Sequence, residues 1–184
     1  VSATLKYLDI PLVITEHWTA YRRNFGMPDK KNKLDEIRSI FFHYFSLITV
    51  SADLANDIKN FAGRDDFDCY VVPNVVHASF KFNQPNWERI DHEAQPRFFM
   101  VNIWRNSKRP LCCIRAFHNL HQQYPKATLR IGGYGPQLTE MKAYVNEHGL
   151  AEAVHFLGVM SKEDIAKEMQ GLTAFMHASD YETF

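Results

Sequence analysis

Residues 128–136 read Thr-Leu-Arg-Ile-Gly-Gly-Tyr-Gly-Pro, and their reading decides the fold. Thr128 to Ile131 has the length and apolar character of a buried strand, and Gly132-Gly133-Tyr134-Gly135-Pro136 is a tight strand-to-helix turn. Glycines in such a turn let the backbone approach a ligand closely, and Pro136 suits the first position of a helix. The helix behind it carries Leu138, Met141, Val145 and His148 on one side and stops at Gly149. Its N-terminus would be a ready anion site. The turn is not a dinucleotide fingerprint, because the third glycine would fall on Leu138. It is not a P-loop either, because no Gly-Lys-Ser/Thr follows. Taken alone, it reads equally well as a tight turn that meets no ligand.

The same alternation runs outward on both sides. Arg97 to Ile103 is strand-like, and residues from about Lys108 to Tyr124 are helical in pattern, with Leu111, Ile114, Phe117 and Leu120 on one apolar face until Pro125. Ala153 to Leu157 is a strand ending at Gly158. Ser161 and Asp164 resemble a capping box ahead of Ile165, Met169 and Leu172. The apolar run Ala174, Phe175, Met176 reads as a last buried strand. It breaks into Ser179 and Asp180, which suit a helix N-cap, with Glu182 in the first turn beyond.

Towards the N-terminus, residues 2–8 suit the end of a helix. Ile10 to Thr15 is a continuous apolar run, as expected for a strand covered on both faces, and ends in Glu16-His17-Trp18-Thr19. After a basic loop from Arg22 to Lys33, the spacing of Leu34, Ile37, Phe41, Tyr44 and Ile48 predicts a helix. Leu47 to Val50 begins the next strand. Ser51 is a good N-cap for a helix with Leu54, Ile58 and Phe61 buried, Gly63 is its stop, and Cys69 to Val72 is a third strand closed by Pro73-Asn74. Between about Val76 and Pro96 the chain is polar, has no sustained period and reads as a linker. The expected fold is therefore α/β: a first series of parallel βαβ units, the linker, and a second series of four strands and three helices that makes an incomplete doubly wound domain.

Composition supports a folded chain and narrows the function. Of 184 residues, 46% are apolar and 23% charged, enough for a core. Formal net charge is zero, so no global field favours nucleic acid. The local pairs Arg22-Arg23, Lys30-Lys31 and Lys108-Arg109 read as solvated surface or as phosphate contacts. Three cysteines, two adjacent (Cys112-Cys113), form no disulfide framework and fit a reducing compartment, with the thiols used as small apolar residues. No apolar run approaches the ~20 residues of a membrane span. A start at Val1 without Met and a stop in an unfinished turn lead to the expectation of a fragment of a longer, cytoplasmic protein.

Candidate chemistry gathers at strand ends. Lys108, just after a strand, can reach a phosphate as a point charge, although a surface lysine is the plainer reading. His17 ends a strand beside Trp18 and would line a cleft or serve as a structural histidine. The nine histidines show no ligand spacing, so no metal site is expected. No Gly-x-Ser-x-Gly elbow is present. Lys108, the 132–136 turn, Gly158 and Glu182 all fall at strand C-termini of one domain, the edge where open α/β sheets bind ligands.

In this order the motifs resemble the retaining glycosyltransferases of family 4, also called group 1, with the two-Rossmann GT-B architecture. The resemblance implies two Rossmann-like doubly wound parallel-sheet domains, both incomplete: the C-terminal part of an acceptor-side domain over 1–80, a linker over 81–96 and the first part of a nucleotide-sugar-binding domain over 97–184. The matching pieces are Val50-Ser51, then Pro73-Asn74-Val75-Val76-His77 with Phe80, and Asn102-Ile103-Trp104 with Lys108-Arg109 at the family's Gly-Arg-Leu…Lys-Gly/Arg. They continue with Gly133-Tyr134-Gly135-Pro136, Val154-His155-Phe156-Leu157-Gly158, and Ser179 to Phe184 at the start of the family's Glu-x7-Glu. The resemblance implies a hexosyltransferase of polysaccharide biosynthesis. It would use a nucleotide-diphosphate sugar donor and a glycan or lipid-linked acceptor, with retention of configuration, no cofactor and no essential metal. Peripheral association with the inner face of the membrane is compatible with such acceptors.

The resemblance also implies the site. Catalytic roles fall to Lys108 at the leaving diphosphate, Glu182 on donor hydroxyls and His17 at the donor sugar. Donor-binding roles fall to Gly133, Gly135 and Pro136, with Val159 and Met160 near the nucleobase. The family's diphosphate arginine falls on Ile103, and Arg105 is its expected replacement. Without the second glutamate, eight positions after Glu182, the 184 residues are expected to be inactive alone. The alternatives on the same architecture are a sugar-nucleotide epimerase, a phosphorylase, or a degenerate binding domain kept open by Ile103.

Overall fold

The structure is a computed structural model, and it describes residues 12–43, 45–80, 95–180 and 182. The expected helix over residues 2–8 and, apart from Gln95 and Pro96, the expected linker lie outside the described residues. The chain divides into two compact units. The first comprises the described residues up to Val75 together with Glu182, and the second runs from Val76 to Asp180.

In the first unit, β1 (Val13–Glu16), β2 (Ser46–Thr49) and β3 (Cys69–Val71) form a parallel sheet in the order β1-β2-β3. Its helices are α1 (Lys31–Ser39) and α2 (Ala52–Ala62). The α2 signals act as written. Ser51 Oγ accepts the Leu54 N–H at 3.2 Å, Gly63 ends the helix, and Leu54, Ile58 and Phe61 are buried. The central strand is sealed, with Leu47 and Thr49 both at 0% exposure and the Thr49 hydroxyl donating to the Ser51 carbonyl. Over these packs an aromatic cluster in edge contacts: Tyr21, Phe25, Phe41 and Phe61.

Ile48 lies in β2, as the strand reading of Leu47 to Val50 expects. Two expectations change here. The helix ends at Ser39 and tightens into a 3-10 turn over Ile40–Phe42, because a run of β-branched and aromatic residues is a poor helix continuation. β1 is not covered on both faces: its residues alternate exposed and half-buried, and Val13 is 57% exposed. The basic loop contains a kinked 3-10 segment, Thr19–Gly26, held to α2 by Arg22 between Asp53 and Asp57.

In the second unit, β4 (Arg97–Ile103), β5 (Thr128–Tyr134), β6 (Val154–Gly158) and β7 (Ala174–Phe175) form an all-parallel sheet in the order β6-β5-β4-β7. Helices α3 (Pro110–Gln123), α4 (Leu138–Glu147) and α5 (Lys162–Glu168) connect them. Ile114, Leu129 and Met141 are fully buried in one core cluster, and Phe99, also fully buried, packs edge-on against Phe175. Burying side chains of this size stabilises by about 1.5–3 kcal/mol each. The chain winds outward from β4 to β5 to β6, then returns to the other side of β4 with β7. The winding therefore reverses between β4 and β7, where parallel sheets open a crevice at their C-terminal ends.

Four details differ from expectation. β5 continues through Gly132 and Gly133 to Tyr134, so those glycines belong to a strand. Pro136 precedes the helix rather than opening it, since Gln137 is the N-cap of α4. Lys108 lies in a 3-10 turn, Asn106–Lys108, ahead of α3, and it is Pro110 that takes the first helical position there. β7 is exposed, with Phe175 at 42%; the helix expected after Ser179 and Asp180 falls outside the described residues apart from Glu182, and the Ser179 hydroxyl is buried without a hydrogen-bond partner among them. The Ser161 cap is present, its Oγ accepting the Asp164 N–H at 3.1 Å and donating to Asp164 Oδ2 at 2.7 Å.

Candidate functional site

The C-terminal edge of the second sheet is built from the exits of β4, β5 and β6. At the end of β4, Asn102 Oδ1 accepts the N–H of Ile103 at 2.9 Å, and the Ile103 side chain is 39% exposed. Trp104 then turns inward and is buried. Its N–H donates to the Tyr134 carbonyl at 2.6 Å, and its carbonyl accepts the Gln137 N–H at 3.2 Å. The exit of β4 and the glycine turn are thereby laced together by backbone hydrogen bonds.

That lacing explains the glycines. Gly133 has φ +103°, and a Cβ there would lie 1.9 Å from the Asn102 carbonyl oxygen. Gly135 has φ +147°, and a Cβ would lie 2.3 Å from the Trp104 carbonyl oxygen and 2.6 Å from its nitrogen. A side chain at either position collides with backbone, which has nowhere to move. The close approach is to β4 itself, so the protein's own packing already demands glycine. Next to them, a Cβ on Gly132 would lie 2.5 Å from Met160 Sδ, so Met160 closes over the strand where the β5–β6 register shifts between Ile131 and Gly132. Bulges of this kind re-aim a strand end next to a site.

Along this one edge stand Arg105, Lys108, Gly133, Gly135, Pro136, Val159 and Met160, the last two directly after β6. Arg105 and Val159 are exposed, Val159 at 75%; Lys108 and Met160 are half-buried. The turn carrying Lys108 is tight: its N–H donates to the Arg105 carbonyl at 2.9 Å, and Arg109 N–H donates to Asn106 at 3.0 Å. The loop after β7 is tied to the same turn. Asp180 N–H donates to the Ser107 carbonyl at 2.9 Å, and Asp180 Oδ1 receives Arg109 Nη1 at 3.2 Å. Sequence reading named Asn102, Trp104 and Asp180 only as motif or helix-cap residues and gave them no part in the site, and it read Arg109 only within the Lys108-Arg109 pair. The one local signal was Arg109 itself, a residue before proline at a helix start.

The remaining two expected residues belong to the first unit. His17 follows β1 and is exposed. In the same unit, burial chiefly, then the charge and hydrogen bond of Glu16, holds the Tyr21 hydroxyl far above the ordinary phenol range. Glu182 is exposed. Among the described residues no group of three or more His, Cys, Asp or Glu side chains is placed to hold a metal, and no helix is long and apolar enough to cross a membrane.

Residues 84–184 match the family model "Glycosyl transferases group 1". The chain belongs to that family. Solved structures share its fold at low sequence identity. Sucrose-phosphate synthase from Thermosynechococcus elongatus superposes with a TM-score of 0.72 at 15% identity, covering 99% of this chain and 48% of that one. HepE from Anabaena, in complex with UDP-glucose, gives 0.70 at 17%, covering 97% and 49%. S. aureus TarM, in a complex containing UDP, gives 0.65 at 17%, covering 94% and 32%. This group 1 chain thus has the parallel α/β architecture of GT-B glycosyltransferases and spans about half the length, or less, of these structures. No curated protein matches the sequence.

Proposed function

We propose that the protein carrying this chain is a retaining hexosyltransferase of family 4 that moves a sugar from a UDP-sugar to a glycan or lipid-linked acceptor. The supporting observation is the edge of the family-matched unit. There the Lys108 turn, the laced glycine turn and the Val159-Met160 segment follow three neighbouring strands at their C-terminal ends, and the Lys108 turn borders the point where sheet winding reverses. Lys108 meets the donor diphosphate, which gathers negative charge as it leaves, so a fixed cation there stabilises the transition state more than the ground state. The glycine turn keeps the floor low, and Val159 and Met160 offer apolar surface to the base. Arg105 adds positive charge beside Lys108. His17 and Glu182 are assigned to the donor sugar, and no metal or cofactor is assigned. The protein works in the cytoplasm, and a lipid-linked acceptor would bring it to the inner face of the membrane.

Donor turnover by the longer protein tests this. Lys108→Ala and Glu182→Ala are each expected to lower it by about 100-fold, the scale of losing one charge-stabilising contact. Turnover unchanged in both variants would sink the reading, and an inverted anomeric product, read by NMR, would remove retention. The exposed Ile103 favours one competing reading, a domain that binds donor without reacting. Tight UDP-sugar binding with no transfer or hydrolysis would establish it.

A further inference from the structure

Three features of the second sheet's C-terminal edge meet at Arg109. First, the exit of β4 offers no charge and no free amide at position 103, since Ile103 is apolar and its N–H is taken by Asn102 Oδ1. Second, Arg109, next to Lys108, reaches across the winding reversal: its guanidinium pairs with Asp180, which follows β7, while the turn that carries it follows β4. Its backbone is left-handed (φ 45°, ψ 49°) although it is not glycine and precedes Pro110. Third, the pair is a single contact through Nη1 at 3.2 Å with the arginine side chain 54% exposed. A guanidinium has five N–H donors in a rigid fork, so its remaining donors suit a phosphate.

We propose that Arg109 is the second diphosphate-binding cation of the donor site, in place of the arginine that the family motif has at position 103, and that Asp180 is its positioning residue. This rests on the donor-site reading above. Asp180 is fastened to the turn through its own N–H on Ser107, so its carboxylate holds the guanidinium beside the turn that carries Lys108 until a diphosphate supplies a stronger bidentate partner.

The test is calorimetric titration of the longer protein with UDP and with uridine. Arg109→Gly removes the charge while keeping a residue at ease in a left-handed backbone, so it separates charge from backbone effects. UDP affinity is expected to fall about tenfold, the scale of one charge-assisted hydrogen bond, with uridine affinity unchanged. Arg109→Lys should recover part of the loss. Asp180→Asn should weaken UDP less, and should add nothing in the Arg109→Gly background. If Arg109→Gly binds UDP normally while Lys108→Ala does not, the inference fails and the donor-site reading stands. Equal losses for UDP and uridine, or a loss in Arg105→Ala in place of Arg109→Gly, also overturn it, as additive losses overturn the role of Asp180. Normal UDP binding in both Lys108→Ala and Arg109→Gly, or none by the unaltered protein, removes the donor-site reading itself.

Discussion

The two sheets are built from the same βα alternation but spend their residues differently. In the first unit the strands are short, β1 and β3 are largely exposed, and the core is an aromatic cluster gathered on α2 and β2. In the second, β4 and β5 run seven residues each, aliphatic and aromatic side chains are sealed beneath three helices, and the glycine-bearing strand end is stitched to its neighbour. Precision at a ligand edge needs rigid strands behind it and close backbone contact at the tip, and only the second sheet has both.

Mutations that break the comparison start with the cores. Phe99→Ala, at 0% exposure in β4, is expected to destabilise the second unit by about 4 kcal/mol in urea unfolding. Phe61→Ala, whose ring sits among other aromatics in the first unit, should cost about 3 kcal/mol. Equal effects would contradict the tighter packing of the second sheet.

Glycine sharpens the contrast. Gly133→Ala must displace the Asn102 carbonyl and also strain its own backbone, a cost of about 3 kcal/mol with donor binding lost. Gly63→Ala has a similar sign of φ but open space around it, and should cost about 1 kcal/mol. Thermal melts of the two variants decide this.

Ion pairs follow the same division. Arg130 grips Glu168 with two bonds of 2.7 and 2.8 Å, and the Glu168 side chain is only 18% exposed. Glu168→Gln should cost about 2 kcal/mol, because a half-buried guanidinium loses its charged partner. Arg22→Gln in the first unit, where the guanidinium itself is 55% exposed between an exposed Asp53 and a largely buried Asp57, should lower the melting temperature less. Ser51→Ala, removing the cap of α2, is expected to cost about 1 kcal/mol.

The smallest effect is on pH dependence. The Arg64 hydrogen bond holds Asp66 below its ordinary 3.8, and the Ser161 hydroxyl does the same for Asp164. A depressed carboxylate contributes stability that is present above its unfolded pKa and lost as pH falls through the lower folded value. Both should therefore weaken the fold below about pH 4 and leave it unaffected near neutrality. NMR titration should find both midpoints below 3.8, with Arg64→Gln raising the first and Ser161→Ala the second.

Much of this was legible in the sequence where the determinant is local. β4 occupies the expected residues, and the Ser51 cap, the Leu54-Ile58-Phe61 stripe and the Gly63 stop are all as read. Misreadings occurred where a local pattern met a non-local partner. Phe41 continued a helical spacing but lies in a 3-10 turn, its ring held among Tyr21, Phe61 and Phe67. Gly132 and Gly133 looked like a turn but complete a ladder with Val101 and Asn102. At the site, Lys108 and the glycines stood out by residue type and spacing, whereas Arg109 and Asp180 lie 71 positions apart and share no motif.

The sequence by itself determined which segments become strands and helices, where the apolar faces lie, and that basic and glycine-rich residues collect at strand ends. These follow from periodicity, capping and backbone permissiveness, each set within a few residues. Only the tertiary structure decided the order β6-β5-β4-β7, and with it the winding reversal beside β4 and the meeting of Arg109 with Asp180. Which side of β4 the last strand joins depends on hydrogen-bond ladders and burial between distant segments, and no short stretch of sequence carries that choice.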